Sequence, residues 1–162
     1  MKAVFERRLI PLNQIRKEKL EKAMKSARKN ARPPVVEKIL RAFIETSLQF
    51  STSGQHAKNF ITPVERGFVE PDNTVRTTFM RRMHSVFSLM FESLCKALPD
   101  ISGDIVFSRI IFALDAMSNS LSTLNKIRQP PEGVTLPSDA KALIRMLVPF
   151  VTAAMEAFCQ TA

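Results

Sequence analysis

The sequence predicts an all-α domain of about six helices, and three observations carry that expectation. Apolar residues recur at steps of three and four through nearly every segment, no alternating strand pattern emerges, and only 4 glycines stand among 162 residues. So few glycines argue against a loop-rich β fold and against a glycine-rich phosphate cradle. Apolar residues make up 45% and charged residues 24% of the chain, the balance of an ordinary globular protein. A length of 162 residues suits a single domain, residues 1–162, with a sizeable core.

The first helix is expected from about Lys2 to Asn30, with Val4, Phe5, Leu9, Leu12, Ile15, Leu20 and Met24 at steps of three to five. Pro11 lacks an amide hydrogen and predicts a kink or a break near Leu9 and Ile10. Pro33-Pro34 ends that helix and opens a second, to about Phe50, whose stripe holds Val36, Leu40, Phe43, Ser47 and Phe50. Ser51 to Gly54 reads as a loop, and Gln55 to about Phe68 as a shorter helix bent or split by Pro63 and Gly67. Pro71-Asp72-Asn73 is a start signal, because Asp or Asn can accept from the orphan amides of a first turn. The helix it opens runs to about Leu98. Val75, Phe79, Met83, Val86, Met90, Leu94 and Ala97 face inward, and Arg81, Ser85, Ser88, Glu92 and Lys96 face water.

Pro99 closes the long helix, and Ser102 caps another from Gly103 to about Ser122. Its centre, Ile105 to Met117, is apolar almost all round, broken by Ser108, Arg109 and Asp115. Such a helix must be covered on every side. One small domain covers one face, and a second protomer is the simplest cover for the other. After a loop from Asn125 to Pro137, Ser138-Asp139 starts the last helix, to about Gln160. Leu143, Leu147, Val151, Ala154 and Phe158 form its stripe, widened by Ile144, Val148 and Met155.

Several function classes fall away at this level. The longest apolar run is Ile110 to Leu114, whereas a spanning helix needs about 20 apolar residues, so no membrane role is expected. Cys95 and Cys159 stand far apart without ligand spacing, which fits two reduced thiols in the cytoplasm and neither a disulfide framework nor a metal site. His56 and His84 are the only histidines, and no nucleophile elbow, P-loop or paired carboxylates appear. No enzyme activity and no cofactor are expected.

The net charge of +9 is concentrated. Residues 1–41 hold 13 Lys/Arg against 4 Asp/Glu, while residues 42–162 hold 11 of each. Two readings fit: a solvated helix face, or a phosphate-attracting field from Arg7, Arg8, Arg16, Lys17, Lys19, Lys22, Lys25, Arg28 and Lys29. A third, a membrane-surface helix, is disfavoured because the apolar positions suit a protein core better. No aromatic residue interleaves with these charges, which disfavours stacking on single strands. The 12 Phe and 8 Met are the other feature, and Phe43, Phe60, Phe79, Met80, Met83, Phe87, Met90, Phe91 and Phe112 fall in the middle helices. Each position alone reads as core packing. Ser47 on an apolar stripe, and Asp115 with Asn119 one turn apart, keep an internal apolar pocket in view.

At this point the residues resemble a known family. Lys2-Ala-Val-Phe-Glu-Arg-Arg-Leu9-Ile-Pro-Leu12 looks like the start of the fourth helix of TetR-type (tetracycline-repressor-like) transcriptional regulators. Pro34 to Phe43, Glu70 to Arg76, Phe91 to Asp100 and Phe107 to Leu114 are similar to the ligand-binding and dimerisation region of one branch. The resemblance spans essentially the whole chain in order, but its motifs are diffuse helical patterns. It implies a helix-turn-helix before residue 1, expected in relatives and absent here, and operator DNA as a partner only through that module.

It further implies a homodimer, with the last two helices of each protomer making a four-helix contact, here through Ile110, Met117, Leu121, Leu143, Leu147, Val151 and Met155. The implied ligand is a small, largely apolar effector held among Phe43, Ser47, Met83, Phe87, Met90 and Phe112, with Asp115 as a polar contact. The regulator is expected to be a repressor, whose ligand shifts the first helix and so the reading heads. Two rival readings remain open. One is a nucleic-acid-binding helical protein acting through residues 1–41, and the other is a module whose apolar helices only dock a partner.

Overall fold

The computed structural model describes residues 2–52, 73–124 and 130–157, and among them the fold is all-helical, with no strand. The five helices are α1 (Lys2–Lys29), α2 (Val36–Thr52), α3 (Asn73–Ala97), α4 (Gly103–Leu124) and α5 (Ala140–Glu156). The short helix expected over residues 55–68 lies outside the described residues, as do Phe158 and Cys159.

The α1 helix runs without a break through Pro11, so of the two expected consequences of that proline the break does not occur. The proline ring lies on the water side. The buried stripe of α1 is narrow: Leu9, Leu12, Arg16 and Leu20, at steps of three, four and four. Ile15, expected inside, is exposed, and the cation beside it takes the inward position. The helix ends in a Schellman turn. Arg32 N–H donates to the Ala27 carbonyl at 3.1 Å and Ala31 N–H to that of Arg28 at 3.2 Å, which satisfies two orphan carbonyls. Ala31 sits at φ 49° to make that turn, a left-handed conformation more usually given to glycine.

The α2 helix is the centre of the bundle. It packs on α1, α3 and most extensively on α5. Its buried surface is correspondingly wider than one stripe and takes in Val36, Ile39, Leu40, Ala42, Phe43, Ile44, Thr46 and Leu48. Arg41 marks its wet side, bonded at 2.6 Å to both Glu37 and Glu45, one turn away in each direction. Buried Thr46 returns its hydroxyl to the Ala42 carbonyl at 2.7 Å, so no polar group there is left without a partner.

The α3 helix buries Met83, Val86, Met90 and Leu94 as expected, and turns Arg81, Ser85, Glu92 and Lys96 outward. The last two helices pack on each other and on the rest: α4 on α3 and α5, α5 on α2. Asp139 caps α5, accepting from the Ala142 amide at 2.7 Å. At its other end the Arg109 guanidinium donates to the carbonyls of Met155 and Ala157, both at 2.6 Å. A residue near the start of α4 therefore closes the end of α5, and the two helices run antiparallel.

Candidate functional site

Two places in this bundle invert the usual distribution of polar and apolar groups. The first is internal and is built around Arg16. Only 2% of this residue is exposed, and its guanidinium lies between α1, α2 and α3. One Nη donates to Asn13 Oδ1 at 2.9 Å and to the Met83 sulfur at 3.7 Å, and the other donates to Ser47 Oγ at 2.7 Å. The cation stands 4.0 Å from the centre of the Phe43 ring, well within cation–π range. Phe43 in turn stacks on Phe87, with ring centres 5.7 Å apart. Ser47 also donates to the Phe43 carbonyl at 2.6 Å, and Asn13 donates to the Arg82 carbonyl at 3.1 Å, tying α1 to α3.

Helix geometry explains how these residues meet. Asn13 and Arg16, three apart on α1, share a face, as do Phe43 and Ser47 on α2 and Met83 and Phe87 on α3. Each helix contributes one such pair at the point where the three converge.

No ion pair among the described residues includes Arg16, and its Nε is buried without an acceptor. Five N–H groups thus face three acceptors, one of them a thioether. Taking an ion out of water without a counter-charge costs several kcal/mol. That burial pushes the Arg16 guanidinium down to about 9, so it still carries its proton at neutral pH.

The second inversion is external, on the outer faces of α4 and α5. Phe112 is 67% and Phe150 65% exposed, and Phe107, Ile111 and Met146 lie open beside them. Phe107 keeps an edge contact with Phe91 of α3, with ring centres 6.0 Å apart. The opposite stripes of the same helices, Val106, Ile110, Ala113 and Met117 on α4 and Leu143, Ile144, Leu147, Val148, Val151 and Met155 on α5, are buried within the protomer.

Of the residues expected to line a pocket, the structure brings Phe43, Ser47 and Met83 onto Arg16, and Phe87 onto Phe43. Met90 is buried about one turn beyond Phe87 and two beyond Met83 on α3. Phe112 and Asp115 do not join them. Both are exposed on α4, and the Asp115 carbonyl accepts from Asn119 at 3.0 Å, a bond within the helix. Their expected place in a pocket is corrected for that reason.

The residues expected at a dimer contact lie inside the protomer. Ile110, Met117, Leu143, Leu147, Val151 and Met155 are at most 6% exposed in the lone protomer and have almost no area to offer a partner. Leu121's side chain lies outside the described residues. The face left uncovered is the other one, through Phe107, Ile111, Phe112, Met146 and Phe150.

By residue type Arg16 belongs with the basic surface residues, yet its position in the sequence carries one contrary signal. It falls four after Leu12 and four before Leu20, on the line that reaches the core. The exposed members of the basic run, Lys17, Lys22, Lys25, Arg28 and Lys29, are a genuine surface stripe. At its end a cleft of about 210 Å³ is lined by Met24, Ala27, Arg28, Arg32, Pro34 and Lys96. It is smaller than the ~300 Å³ at which ordinary ligand pockets begin. None of the expected pocket residues borders it.

Among the described residues no His, Cys, Asp or Glu cluster suits a metal ion, and no helix is long and apolar enough to cross a membrane. Cys95 is a free thiol, and burial pushes its pKa up, away from the reactive range. Residues 41–154 match the model of a family described as Tetracyclin repressor-like, C-terminal domain. No curated protein and no solved structure matches the chain.

Proposed function

We propose, for a chain that belongs to the tetracycline-repressor-like C-terminal domain family, that it senses a small effector and dimerises on behalf of a transcriptional regulator, of which a repressor is the expected form. The observation that carries the reading is the pair of apolar faces on α4 and α5. Five large apolar side chains stand exposed on two helices that pack on each other, and a two-fold partner would cover them. In this reading α4 and α5 of each protomer build the four-helix contact, through residues on the outer stripe and not through the inner one.

The ligand half of the proposal rests on the Arg16 centre. Its side chains come from three helices, so a molecule that displaces any of them changes how α1 sits against α2 and α3. In the family reading α1 leads to the DNA-reading module, and the ligand acts by favouring one of two placements of that helix. The exposed lysines and arginines of α1 would face the operator and add sequence-independent attraction. This work would be done in the cytoplasm, without catalysis.

Native mass spectrometry of the purified chain, compared with its denatured mass, tests both halves together. The expected species is a dimer that carries extra mass of small-molecule size, lost on denaturation. A monomer at micromolar concentration would overturn the dimer, and a dimer that never takes up a small molecule would overturn the sensor.

A further inference from the structure

The Arg16 centre also says what kind of molecule it would hold. We infer that the effector is a small carboxylic acid with an apolar body, bound as a monoanion whose carboxylate pairs with the buried guanidinium of Arg16 while Phe43, Met83 and Phe87 surround the rest. This rests on the ligand-sensing reading above and adds the charge of the ligand to it.

Three features lead there. The guanidinium is buried and, among the described residues, no carboxylate balances its positive charge. Its Nε–H is wholly buried and has no acceptor, which leaves a donor aimed into the protein interior. The surroundings are two stacked phenylalanines and a methionine, which suit hydrocarbon.

A carboxylate fits this set better than other anions. One cation matches one negative charge, whereas a phosphate monoester carries nearly two and would leave charge unbalanced in an apolar setting. A planar carboxylate can take two parallel N–H bonds from a guanidinium edge. Room for it comes from the weakest present partner. The Met83 thioether is a poor acceptor on a flexible side chain, and moving it frees an Nη–H next to Phe43 and Phe87. The Ser47 hydroxyl, which now accepts from Arg16 and donates to the Phe43 carbonyl, can turn that donor toward the second carboxylate oxygen.

The test pairs acids with neutral analogues of equal length. Saturated monocarboxylates of six to twelve carbons and the matching primary alcohols are titrated into the full chain by calorimetry, with thermal shift in parallel. The unmodified chain should bind the best acid at least about tenfold more tightly than its alcohol, the scale of a hydrogen bond to a charged group. In Arg16→Met the acid should lose at least that factor while the alcohol is unaffected. Arg16→Lys, which keeps the charge and loses the planar fork, should keep a preference for the acid at reduced affinity.

Circular dichroism confirms that each variant is folded. Equal binding of acid and alcohol by the unmodified chain, or undiminished acid binding by folded Arg16→Met, would overturn the inference and leave the sensor standing. If neither series binds the unmodified chain, the inference and the sensor reading of this centre fail together.

Discussion

Half of this domain hides a cation and the other half displays phenylalanines. Around Arg16, α1, α2 and α3 enclose a guanidinium where hydrocarbon would be expected, while α4 and α5 turn Phe112 and Phe150 to water where polar side chains would be expected. Neither arrangement favours a lone, empty protomer. A buried charge without a counter-ion among the described residues and exposed apolar side chains are both costs that an additional molecule can remove, a small anion in one case and a second copy of the chain in the other. The difference teaches that the same surplus can be stored as unbalanced charge inside or as uncovered area outside. The first selects a ligand by charge and the second selects a partner by shape.

The largest effect is expected from a charge placed on each face of the α4–α5 pair. Leu147→Glu buries a carboxylate in the protomer core and should cost about 4 kcal/mol or more, seen as loss of cooperative thermal unfolding. Phe112→Glu on the outer face should leave the helical spectrum intact and shift sedimentation from dimer to monomer. If both variants unfold, or if Phe112→Glu remains dimeric, the outer face is not the interface.

Next in size is the buried cation. Replacement of an unpaired buried charge by an isosteric apolar chain is commonly neutral or stabilising, so Arg16→Met should match the parent or exceed it by up to about 2 kcal/mol in denaturant unfolding at neutral pH. A pH series sharpens the same point. The unfolded chain holds this proton to the ordinary, far more alkaline guanidinium range, whereas burial lowers the folded value to about 9. Above pH 9 the unfolded state therefore binds more protons, and this group's contribution to stability rises with pH. The advantage of Arg16→Met should be full below pH 9 and should shrink as pH climbs past it. A gap that widens instead would show that the charge is compensated inside.

A smaller effect is expected at the other arginine. Arg109 is half-buried and closes the end of α5 with two carbonyl bonds, so Arg109→Ala should lose about 1–2 kcal/mol and fray the last turn in hydrogen exchange. Smallest is Ala31→Gly, which relieves a left-handed alanine and should gain about 0.5–1 kcal/mol by the same unfolding assay.

Much of the architecture was legible in the sequence. The apolar steps placed α2, α3, α4 and α5 within a few residues of their ends, and Asp139 was marked as a start signal before it was seen to cap. Four pocket candidates, Phe43, Ser47, Met83 and Phe87, were picked from stripes that do converge. Arg16 escaped because its residue type outweighed its position. Lysines and arginines on an amphipathic helix face water so regularly that the fourth-residue step from Leu12 to Leu20 went unread.

The residues expected at a dimer contact turn out to be buried within the protomer for a different reason. On α4 and α5 both stripes are apolar, and periodicity reports that a helix has two sticky faces without saying which one its own protomer takes. The sequence by itself determined the class, the helices, the surplus of apolar surface near the C-terminal end and the concentration of positive charge near the start, because these depend on local spacing and composition. Tertiary structure alone decided which of two apolar stripes turns inward and which cation is swallowed with it. Those choices are made by the neighbours, α2 fixing the rotation of α1, α3 and α5, and α3 and α5 that of α4, and no local pattern encodes a neighbour's position.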